Sequence, residues 1–94
     1  IDRLDKDEVV CYFHIDHKKS ELDSFTVITS SETDNSVKQI MDEAGFQLTH
    51  KDNYSKTSFC TYKPNRVVSI EEIKQLFASI RKTVTAEMQH KLSN

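Results

Sequence analysis

Apolar and polar residues alternate from residue 8 to 17. Val9, Cys11, Phe13 and Ile15 fall on one side, and Val10, Tyr12, His14 and Asp16 on the other, the period of two that marks a strand. Residues 24–29 repeat the pattern, with Phe25 and Val27 against Thr26 and Ile28. β-branched and aromatic residues dominate both segments. A Ser/Thr/Asp/Asn cluster over 30–35 then predicts a loop that ends in a helix N-cap. Val37, Ile40, Met41 and Ala44 follow at the spacing of one buried helical stripe. Gly45, the single glycine, stands just past that stripe, where a left-handed cap is needed, and Phe46 is placed to fold back on the helix.

Phe46, Leu48 and His50 next alternate with Gln47, Thr49 and Lys51, a third strand. Residues 52–56 read as a hairpin turn, and a fourth strand over 57–63 stops at Pro64. Ser69-Ile70-Glu71-Glu72 is a capping box, stapled by Val68 and Ile73. From there Ile70, Ile73, Phe77, Ile80, Val84 and Met88 step by three or four, which predicts a helix reaching His90 and about 30 Å long.

The order ββαββα predicts an α+β domain: a four-stranded antiparallel sheet with both helices on one face. The expected strand order is first-second-fourth-third, a circular permutation of the ferredoxin-like arrangement. Residues 1–7 are mostly charged and are expected to fray, within one domain spanning 1–94. The halves also echo one another. His14-Ile15-Asp16 returns as His50-Lys51-Asp52, Ser24-Phe25 as Ser58-Phe59, and Ser36-Val37 as Ser69-Ile70. A duplicated ββα unit explains the echo; so does chance, because the offsets differ and two gaps are needed.

Composition changes this picture little. Charged residues make up 30% and hydrophobic ones 36%, with one Gly and one Pro, which excludes a disordered linker. No apolar run approaches the roughly 18 residues of a membrane helix, and these residues hold no signal-peptide pattern. The chain begins at Ile1 rather than Met, which reads as a piece of a longer protein. Cys11 and Cys60 lie in predicted strands and read as reduced, buried thiols, which places the protein in the cytoplasm; a bridge between them requires neighbouring strands. The net charge of −2 hides a polarity: residues 1–46 hold eleven acidic and five basic groups, residues 47–94 four acidic and eight basic. Interleaving of the halves in space would cancel most of that field.

Three constellations are candidates for function. His14 and Asp16 point to one side of the first strand, and His50 and Asp52 are their counterparts in the echo. Two histidines and two carboxylates can hold a divalent metal or act as an acid–base pair. The spacing resembles the paired motifs of two-histidine phosphoesterases, but that family carries a hydroxyl residue two positions after each His, where this chain has Asp16 and Asp52. Tyrosine-dependent DNA-nicking enzymes are similar in placing histidines on a ferredoxin-like sheet. They need a helical tyrosine, whereas Tyr12, Tyr54 and Tyr62 fall in predicted strands or turns. The plain alternative is solvated strand ends.

The second candidate is an open sheet face on which Tyr12 and Tyr62 stack unpaired bases while Lys51, Lys63 and Arg66 meet phosphates. The chain has no RNP-like run to go with it. The third is the surplus of the last helix, with Val84, Met88 and Leu92 as a docking stripe, together with the edge of the third strand, guarded by Lys51. The sequence thus points first to a non-catalytic regulatory or accessory module that binds a protein partner or its own copy. A nucleic-acid-binding module stands second and a His/Asp metal or phosphoesterase site third. No cofactor, metal ion or membrane is implied.

Overall fold

The period-two segments become strands and the 3.6-period segments become helices. The computed structural model describes the backbone of residues 2–6 and 9–93 and the side chains of residues 9–89. Its elements are β1 (Asp2–Lys6), β2 (Val9–Asp16), β3 (Glu21–Ser30), α1 (Asp34–Glu43), β4 (Phe46–Tyr54), β5 (Thr57–Pro64) and α2 (Ile70–Ser93). The strands form one antiparallel sheet in the order β1-β2-β3-β5-β4. The expected ββαββα core is therefore present in its expected order, with an extra strand at one edge.

That extra strand holds Asp2–Lys6, where the sequence predicts fraying over residues 1–7; Ile1 and Asp7 lie outside the described residues. Asp2–Lys6 pairs with β2 from Asp2↔Phe13 to Lys6↔Val9 without a break. A ladder is built from backbone N–H and C=O groups, which a charged segment supplies as well as an apolar one. The open edge of β2 offers the template.

Cross-strand partners share a face, so register sorts the side chains. Cys11, Val27 and Cys60 align across β2, β3 and β5; Phe13, Phe25, Tyr62 and Leu48 align across β2, β3, β5 and β4. These rows lie under the helices. Cys11, Phe25, Val27, Cys60 and Tyr62 are buried against Val37 and Met41 of α1 and Ile73, Ile80 and Val84 of α2. The alternate rows, Val10–Ile28–Phe59–Asp52 and Tyr12–Thr26–Thr61–His50, occupy the face with no helix. Cys11 and Cys60 are separated by β3, about 10 Å at the usual strand spacing. That is too far for a bridge, and both are free, buried thiols. Burial pushes the Cys11 thiol up to about 12.

The helix ends follow their chemistry. Gly45 takes φ +85° just after the Ala44 cap, and Asn65 donates its N–H to Gly45 O at 3.0 Å, pinning this corner. The α1 cap is Thr33, whose hydroxyl turns back to Ser30 O at 2.9 Å instead of capping the helix. At α2 one half of the capping box is formed, the Glu72 N–H donating to Ser69 Oγ at 3.2 Å. The Glu72 carboxylate pairs with Arg66 at 2.7 Å.

Candidate binding surface

The residues singled out by the sequence part company in three dimensions. His14 is exposed near the end of β2, beside a register shift between His14 and Ile15. Asp16 shapes the β2–β3 turn: its carboxylate accepts the Lys18 N–H at 3.0 Å and its carbonyl the Lys19 N–H at 3.2 Å. On the far edge strand, His50 Nε2 lies 2.7 Å from Asp52 Oδ2. β3 and β5 separate His14 from His50, and the two are offset by two residues along the strands. They stand roughly 15 Å apart on strand geometry. The four residues thus make two separate pairs. Among the described residues, no group of three or more His, Cys, Asp or Glu could hold a metal ion.

The tyrosines also divide. Tyr12 is half-buried on the helix-free face, but Tyr62 is fully buried beneath the helices. This corrects Tyr62 as a stacking platform. Its phase explains the outcome, because Tyr62 stands two residues from Cys60 and alternation turns both inward. The Tyr62 hydroxyl lies beside the Cys60 thiol but meets no hydrogen-bond partner in good geometry. Burial, reinforced by Cys60, raises its pKa. Two of the three cations are held by structural partners. Lys51 pairs with Asp34 at 2.8 Å, while Arg66 pairs with Glu72 and donates to Ala44 O at 2.9 Å. Lys63 is exposed, opposite Gln47.

The docking stripe on α2 needs correction too. Val84 is 0% exposed and belongs to the core, because the helix continues across α1 and β2 instead of overhanging at that point. Met88 is half-buried and packs against the same core. The side chain of Leu92 lies outside the described residues. The expectation for β4 holds in one respect: it is an edge strand of the sheet.

What the structure adds is the apolar row on the helix-free face. Val10, Ile28 and Phe59 lie side by side across three strands, each only partly covered. Tyr54, 63% exposed, stands edge-on to Phe59 with ring centroids 5.4 Å apart. Next to this row, Thr26 Oγ1 and Thr61 Oγ1 share a hydrogen bond of 3.0 Å, and His50 with Asp52 closes the border. A shallow concavity lined by Val10, Ile28, Lys56, Thr57 and Met88 continues the row to the end of the sheet. Such an apolar strip with polar margins can hold a hydrophobic segment and orient it through the threonine and histidine groups. The sequence signal was present: Ile28 and Phe59 sit out of phase with the core residues Val27 and Cys60.

No protein-family model, curated protein or solved structure matches the chain. No described helix is long and apolar enough to cross a membrane.

Proposed function

We propose that this chain is a non-catalytic accessory module that binds a protein partner through the helix-free face of its sheet. The observation that carries the reading is the row Val10–Ile28–Phe59 with Tyr54 standing on it, an apolar and aromatic strip that the described residues leave only partly covered. Single exposed apolar residues are ordinary on a protein surface; a contiguous strip with a polar border is the mark of an interaction site. The nucleic-acid reading is weakened by the burial of Tyr62 and by the structural partners of Lys51 and Arg66. Buried, unbridged Cys11 and Cys60 support a reducing, cytoplasmic setting.

The test is photocrosslinking in cells that make the protein, with a benzophenone amino acid at Tyr54 and, as control, at Lys74 on α2. A discrete protein adduct from position 54 alone, lost when Ile28→Lys is added, is the expected result. An adduct to nucleic acid would move the second reading to the front. Absence of any adduct from position 54 would overturn the proposal.

A further inference from the structure

The two edges of the sheet are unlike. β4 is protected from casual pairing: its ladder to β5 is broken between Leu48 and His50, and its middle carries Lys51 next to Asp52. Antiparallel pairing of two β4 strands about either residue opposes lysine to lysine or aspartate to aspartate, which is unfavourable. β1, at the other edge, has no break in its ladder to β2, unlike the β2–β3 and β4–β5 ladders. An unbroken edge strand presents a regular row of backbone donors and acceptors, the template that another strand pairs with.

The residues of β1 determine which strand that is. Its sequence is Asp2-Arg3-Leu4-Asp5-Lys6. Two copies laid antiparallel about Leu4 bring Asp2 opposite Lys6, Arg3 opposite Asp5, and Leu4 opposite Leu4, with the same pairs repeated in reverse order. Every charged residue then faces its opposite. Moving the centre by one residue, to Arg3 or to Asp5, sets like charges on the axis. Pairing of opposite charges directly across a ladder is favourable and pairing of like charges is not, so the pattern selects one register.

We propose that β1 is a self-pairing edge: two copies of this chain join antiparallel along β1, about a twofold axis at Leu4, to form one continuous sheet of ten strands. The contact is isologous and closes on itself, so it stops at a dimer. A twofold axis perpendicular to the sheet keeps each face on its own side. The two Val10–Ile28–Phe59 rows then share one surface, with β1 of both copies between them. The inference stands on β1 alone and does not require the binding role assigned to the helix-free face.

The test is sedimentation velocity of the full chain over about a hundredfold range of concentration, with circular dichroism to verify folding. The wild-type chain is expected to show a monomer–dimer equilibrium. Arg3→Asp and Asp5→Arg, each alone, replace two attractive pairs by two repulsive ones and are expected to lower the association constant tenfold or more, on the order expected for cross-strand charge pairs. The double variant R3D/D5R restores complementarity in the same register and should recover the dimer. An equimolar mixture of the two single variants should form a heterodimer. A monomer at all concentrations, single variants that dimerise as wild type does, or a double variant as weak as the singles would each overturn the proposal. None of these outcomes bears on crosslinking from Tyr54, so the two readings fail separately.

Discussion

The Lys51 ammonium lies 2.8 Å from the Asp34 carboxylate, tying the edge strand β4 to the first turn of α1. The same carboxylate oxygen faces the hydroxyl of buried Ser58 from 3.5 Å. An acid in the first turn also opposes the positive end of the helix. Asp34→Ala is expected to cost about 1 kcal/mol in urea denaturation. Lys51→Met should then add little in that background, because the partner is gone; a fully additive double variant would show that the pair is not coupled.

The alkaline limb of stability has two named contributors at the sheet. Asp34, by hydrogen bond and charge, raises the pKa of Lys51 above the ordinary 10.5. A cation held this way contributes below its ordinary pKa, and the contribution fades as pH climbs through the raised value. Cys11, pushed from 9.0 to about 12 by burial, has the same sign: above pH 9 the unfolded chain ionises its thiol and the folded chain does not. Stability should therefore fall above pH 9. In Cys11→Ala the fall between pH 9 and 10 should be shallower, whatever the substitution costs at neutrality. Equal slopes in the two proteins would refute the assignment.

Tyr62 carries its hydroxyl into the core without a partner. Removing an unpaired buried polar group relieves a desolvation cost, so Tyr62→Phe is expected to be neutral or to stabilise by up to about 1 kcal/mol. A loss of more than that in thermal unfolding would mean that the hydroxyl does have a partner in solution.

Gly45 occupies a conformation that side chains avoid, and a Cβ there would lie 2.9 Å from Asn65 Oδ1. Gly45→Ala is expected to cost about 1–2 kcal/mol, seen as a lowered melting temperature with an unchanged spectrum.

Val84 and Met88 separate core from surface on α2. Val84→Asp buries a charge among apolar groups and is expected to unfold the domain, a cost of several kcal/mol. Met88→Asp, at a half-buried position, should be milder. A folded Val84→Asp protein, judged by circular dichroism and a cooperative melt, would contradict the packing of this helix.

Much of the architecture was legible because its determinants are local. The phase of Val9, Cys11 and Phe13, the stripe of Val37, Ile40 and Met41, the cap at Ser69 and the turn at Gly45 each act over a few residues. β1 was not legible in the same way. Its strand state comes from the edge of β2, and no apolar alternation announces it. The candidate surface was half legible: Ile28 and Phe59 stood out of phase with the core, but both faces of β3 and β5 carry apolar groups. Alternation alone does not say which face the helices take.

The sequence by itself determined the strands, helices and caps, since period, propensity and turn chemistry are short-range. It also determined the charge pattern of Asp2-Arg3-Leu4-Asp5-Lys6 that singles out one antiparallel register. The tertiary structure decided what depends on distant segments meeting. It sent Tyr62 inward and left Tyr12 on the open face, set His14 and His50 on strands with two others between them, and packed Val84 of α2 into the core. It also spent Lys51 and Arg66 on Asp34 and Glu72. Side-chain identity sets what each group can do; register and helix packing set which groups it meets, and those are properties of the whole chain.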